Sequence, residues 1–244
     1  MKAIALSLAI VACSAVATAQ DESNRPSSGD YTIGLSFRPD LLFGGNQGFG
    51  SANWFDGVDI RYYGSNVAHQ LNANLSMYSS GIGDVDLEPT GEYQYSYSNF
   101  NVQADARYSF LWTHDMGSNW QVLYGPQIGA GINTQVTTYD YSHSAQEYAD
   151  AGLYGNYFED PISYNFYQLF LGAYAEVDYF ISESLYVGVS VVIEGAQSYN
   201  PGRDLEYKRF SPGVVENIES KSPSIYSLQI TGVNAAFVKF GVVL

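Results

Sequence analysis

The chain has 244 residues, enough for one domain or two small ones, and a net charge of −15 that excludes the basic footprint of a nucleic-acid binder. Only 14% of residues are charged, far below the usual quarter, and no apolar run of about 18 residues follows the N-terminus, which excludes a transmembrane helix. With 22 Tyr and 24 Gly, the composition suits a β protein with a large apolar surface and a polar lining.

Residues 1–19 read as a secretory signal peptide. Lys2 is the positive start, Ala3 to Val16 the apolar core, and Ala17-Thr18-Ala19 a small-x-small cleavage site that leaves Gln20 first in the mature chain. The single cysteine, Cys13, falls inside this segment, so no disulfide is expected. Ile10-Val11-Ala12-Cys13 also permits a lipoprotein site at Cys13, but the apolar core before it is short. Residues 20–30 form a polar, flexible lead-in, and 31–244 one barrel domain.

Eight stretches then alternate apolar and polar residues with period two, as half-buried strands do. They are 31–38, 54–63, 69–78, 101–113, 119–136, 164–180, 184–194 and 225–244. In 101–113 ("NVQADARYSFLWT"), Val102, Ala104, Ala106, Tyr108, Phe110 and Trp112 share one face, while Asp105 and Arg107 stand on the other. The connections alternate as well. Those after the second, fourth and sixth strands are short. Those at about 39–53, 79–98, 137–163 and 195–224 are long. An antiparallel meander places all short turns at one end and all long loops at the other.

The polar faces carry Gly, Ser, Asn, Gln and Tyr rather than the charges of a soluble surface. Tyr62, Tyr108, Phe110, Trp112, Trp120, Tyr179 and Phe240 lie near the short turns on the apolar face, with Trp54, Phe100, Tyr167 and Tyr226 near the long loops. Two such bands match aromatic girdles at membrane interfaces. The apolar face is therefore expected to meet lipid, and the charges to point into a narrow lumen. Asp59 and Asp105 are placed at mid-barrel, with Arg61, Arg107, Glu176, Asp178 and Lys239 nearer the short turns. A salt-bridged plug is the plain reading of this cluster, ahead of an ion or proton pathway.

These features resemble the small outer-membrane β-barrel family of Gram-negative bacteria, over roughly residues 30–244. Members of that family close on an alternating apolar strand that the barrel-assembly machinery reads. Here Ala236, Val238, Phe240, Val242 and Leu244 alternate in that way, but end on Leu instead of an aromatic residue. The resemblance implies an all-β, transmembrane, antiparallel up-and-down barrel of eight strands, or ten if a long loop hides a hairpin. It also implies the outer membrane as location, with outer-membrane lipid and lipopolysaccharide around the barrel.

Candidate sites are sparse. Ser142, His143 and Ser144 form the one His-containing outer-loop motif, but adjacent residues rarely make a nucleophile–base pair. Asp84, Asp86 and Glu88 alternate in a way that would suit calcium, yet lack the length and glycine of an EF-hand loop. The glycine-rich 43–50 lacks the Lys-Ser/Thr of a phosphate loop. No catalytic residue, metal or cofactor is expected. A non-enzymatic structural or surface-interaction role through acidic, Tyr-rich loops is the first functional reading. A narrow porin is the alternative, and a lipid- or peptide-acting enzyme the second.

Overall fold

The computed structural model describes residues 24–37, 55–88 and 91–244, with backbone only at 55–56 and 230–236. The expected signal peptide, Cys13, Trp54 and the glycine-rich 43–50 lie outside the described residues, as does the side chain of Ala236.

Among the described residues, eleven strands and one helix run in the order β1 (Tyr31–Phe37), β2 (Phe55–Tyr63), β3 (Val67–Asp86), β4 (Gln94–Asp115), β5 (Trp120–Tyr141), α1 (Ala145–Asp150), β6 (Gly155–Tyr157), β7 (Ile162–Ser182), β8 (Leu185–Asn200), β9 (Arg203–Ser211), β10 (Val214–Ser222) and β11 (Ile225–Val243). Eight of them close into an antiparallel barrel in the order β1-β2-β3-β4-β5-β7-β8-β11, and β11 returns to β1. All eight stretches with period two in the sequence are barrel strands. Loop 195–224 does contain a hairpin, β9–β10, but it joins β6 in a separate three-stranded sheet and leaves the barrel at eight.

The alternation decides which side chains face outward. Ile60, Leu71, Leu75, Ile128, Leu169, Leu171, Val189 and Ile193 are exposed on the outer wall, while Asp59, Arg61, Glu176, Asp178 and Lys239 are buried within. Aromatic rings meet across neighbouring strands near the short turns: Tyr31 with Tyr62, Trp112 with Tyr124, and Trp120 with Tyr179 at centroid distances of 5.0, 5.8 and 4.7 Å. Such cross-strand pairs fix register in a sheet whose outer face has no core to pack against. In β11 the register with β8 shifts twice, between Ile230 and Ala235. Two one-residue shifts restore the original parity, so Leu228 and Phe240 both remain on the outer face.

The turns at one end are short, and Gly117, at φ 93°, permits the tight β4–β5 reversal. At the other end the expected loop 79–98 is mostly strand, since β3 runs to Asp86 and β4 begins at Gln94. Its sequence "SSGIGDVD" lacks apolar alternation; pairing continues because Ile82 meets Tyr97 and Asp86 meets Gln94 across the ladder. Within the lead-in, Gly29 N–H donates to Tyr63 O at 2.8 Å, and Arg25 pairs with Asp115.

The long connections of β5–β7 and β8–β11 build a head with its own small core. Tyr148, Ala149 and Phe210 are buried there, flanked by Leu87, Tyr93, Tyr141, Leu153, Tyr157 and Val215. α1 starts on a capping box: Ser144 Oγ accepts from Glu147 N–H, and the Glu147 carboxylate accepts from Ser144 N–H at 2.8 Å. Tyr95, Tyr97, Tyr139 and Tyr141 share the strand parity of the lumen-facing residues. Tyr157 and Phe158 stack on Tyr141 and Tyr139 at 4.3 and 5.1 Å. The head therefore leans over the inner face of the β4–β5 wall.

Candidate functional site

The lumen is layered from the short-turn end to the long-loop end. At the bottom Tyr63, Ala68, Leu111, Leu123 and Phe180, all at most 2% exposed, make an apolar floor. These residues occupy polar-face positions close to strand ends, where each strand read alone gives no reason to expect a hydrophobic layer.

Above the floor lies an ionic tier that joins three parts of the chain. Arg61 of β2 reaches Glu176 and Asp178 of β7 at 2.8 and 2.7 Å. Its remaining N–H groups donate to Gln70 Oε1 at 3.0 and 2.8 Å and to Tyr63 Oη at 2.8 Å. Lys239 of β11 bridges Asp59 and Glu176, both at 3.1 Å. Tyr174 donates a further short hydrogen bond to Glu176. The five charged residues have essentially no solvent exposure, so each must find its counter-charge here. Glycines open the space: a Cβ on Gly188 would strike the Asp178 carboxylate, and one on Gly241 would strike the Tyr186 ring.

A second, separate ion cluster lies higher. Arg107 pairs with Asp105 at 2.7 Å and with Glu194 at 3.2 Å, and its guanidinium stacks 4.6 Å from the Phe170 ring centre. The expectations that Arg107 joins Arg61 near the short turns and that Asp59 joins Asp105 at mid-barrel are thus corrected: Lys239 ties Asp59 to Glu176 in the lower tier. Gly188 and Ser190 neighbour the lower tier, and Glu194 stands two inward positions farther up β8. Sequence spacing did not single out Glu194, although its parity on the polar face of β8 was a usable signal.

Between and above these clusters is a chamber of about 240 Å³. Lys239, Tyr174 and Gln70 line its base, and Gln103, Gln168 and Gln229 its upper side.

The other sequence candidates do not converge. Ser142 Oγ lies 2.9 Å from His143 Nδ1, but the same hydroxyl donates to Gln94 O and accepts from Gln94 N–H, both at 3.0 Å. It serves the join between β4 and the head. The Glu147 carboxyl is held below its ordinary range by the N–H and hydroxyl of Ser144, as a helix cap. Burial pushes the Tyr141 hydroxyl up to about 12, so it stays protonated and donates to Asn156 O at 3.1 Å. Asp86 accepts from Gln94 Nε2 at 2.7 Å, and no three acidic, His or Cys side chains among the described residues group as Asp84, Asp86 and Glu88 would need to for a metal. Val238, Phe240, Val242 and Leu244 follow one another along the outer parity of β11 into the chain end.

No protein-family model matches this sequence, and a search of curated proteins finds no match.

Proposed function

We propose that the chain is a non-enzymatic outer-membrane barrel of a Gram-negative bacterium, exported by its signal peptide and assembled through its C-terminal strand. In this reading it presents an acidic, Tyr-rich head at the cell surface, and its lumen is plugged. Outer-membrane lipid and lipopolysaccharide surround the wall.

The observation that carries this reading is the inversion of polarity: exposed Leu, Ile and Val outside, buried ion pairs inside. Soluble monomers rarely expose contiguous apolar patches of more than a few hundred Å². The height of the band fits as well. Phe100 and Trp112 on β4, and Tyr167 and Tyr179 on β7, are each separated by twelve positions. At ~3.3 Å per residue and a tilt near 40°, that is about 30 Å between aromatic rings, against an apolar band of about 25 Å between girdles.

The apolar floor and the ionic tier favour a plug over a porin. Refolding into vesicles of brominated lipid tests the reading. Trp112 and Trp120, both exposed on the outer wall, are expected to be quenched. A monodisperse protein without detergent, its tryptophans unquenched by the vesicles, would refute it. In planar bilayers no steady opening is expected; stable conductance would restore the porin.

A further inference from the structure

The chamber above the ionic tier has a definite chemical character. Six amide side chains line it, from Gln70, Asn72, Gln103, Gln127, Gln168 and Gln229. The charges beside them are already matched: Arg107 by Asp105 and Glu194, and Lys239 by Asp59 and Glu176. Each of these cations is held by two carboxylates, so an anion entering the chamber would have to displace one of them. An apolar molecule would bury the amides without partners, at a cost of about 1–3 kcal/mol for each unsatisfied group.

A hydroxyl both donates and accepts, as an amide side chain does. The carbonyl oxygens of Gln127 and Gln168 and the hydroxyl of Ser190 take no hydrogen bond from the described protein. Phe170, Tyr174 and Phe237 supply ring surface between the amides, suited to the C–H faces of a sugar. The volume of 240 Å³ equals the liquid share of about eight waters at ~30 Å³ each, the scale of one sugar ring.

We propose that the chamber is a binding site for one ring of a neutral, hydroxyl-rich molecule, either a free monosaccharide or the end of a longer glycan. This deepens the surface-interaction reading above and relies on its view of the long-loop end as the solvent-facing side. The assay needs only the folded barrel, so its failure leaves the membrane reading standing.

The test is saturation-transfer NMR on the whole protein in a detergent without a sugar headgroup, with glucose, maltotriose, spermidine and citrate as probes. Saturable transfer to glucose supports a free monosaccharide, and transfer to maltotriose alone supports a glycan end. Replacing Gln168 and Gln229 by Leu together is expected to weaken binding about tenfold, the equivalent of one or two hydrogen bonds. Lys221→Ala, on exposed β10, is expected to leave it unchanged. Unheated gel mobility checks that each variant remains a closed barrel. The proposal is overturned if neither sugar binds, if the Leu variant folds and binds sugar as before, or if spermidine or citrate competes for the same residues more strongly than the sugars.

Discussion

Replacing Arg61 by Met tests the ionic tier at its centre. The substitution keeps much of the aliphatic stem but removes the contacts to Glu176, Asp178, Gln70 and Tyr63. Lys239 is then the one cation left in the tier for three carboxylates, Asp59, Glu176 and Asp178. Breaking a buried pair by removing one partner costs about 3–5 kcal/mol, because the charge left behind has no water to turn to. Urea unfolding in lipid vesicles, followed by tryptophan fluorescence, should show a loss of that size. Adding Glu176→Gln and Asp178→Asn to Arg61→Met should recover a good part of it, a coupling that a double-mutant cycle isolates. A loss below about 1 kcal/mol, or no recovery, would mean that water or a mobile ion screens the tier, and the plug reading would fall.

Other perturbations bear on separate parts of the structure. Leu171→Arg, on the exposed outer wall close to mid-height, should cost about 2–4 kcal/mol in a bilayer; if the protein instead became more stable and soluble, the wall would be facing water. Gly188→Ala drives a methyl into the Asp178 carboxylate and should destabilise by about 1–3 kcal/mol; an unchanged urea midpoint would contradict the tight packing. The Glu147 carboxyl lies below its ordinary pKa, so its contribution is complete above that ordinary value and is lost as pH falls through the depressed one. Amide exchange in residues 145–151, corrected for intrinsic rate, should therefore quicken in strongly acidic solution, and Ser144→Ala should produce the same quickening at neutral pH. Equal protection in both cases would show that the cap contributes nothing.

The barrel strands are legible in the sequence because both faces of each one are written in its own residues: Leu71, Ala73, Leu75 and Met77 alternate with Asn72, Asn74 and Ser76. The grouping of Arg61, Glu176, Asp178 and Lys239 follows from the same parity once the ring closes. Their division from Arg107 does not, because it depends on the stagger between strands, and Arg107 finds Glu194 eighty-seven residues away. The head was also out of reach. Strands β9 and β10 carry charges on both faces, as in "RDLEYKRFS", so the period-two signal is lost. What holds them is the pairing of one with the other and the burial of Phe210 against Tyr148, with ring centres 5.2 Å apart.

The ring is joined where its first and last strands meet, with Leu244 N–H donating to Tyr31 O at 2.7 Å and six residue pairs along the seam. The leading strand is thus made first and finds its second neighbour last. Until then it keeps one raw edge, open to any chain willing to zip onto it. Closure of the ring therefore waits on β11, the last of its eight strands in chain order. The opposite surface of this bargain is durability: once these rungs engage, β1 is paired along both of its edges and offers no margin from which unravelling can start.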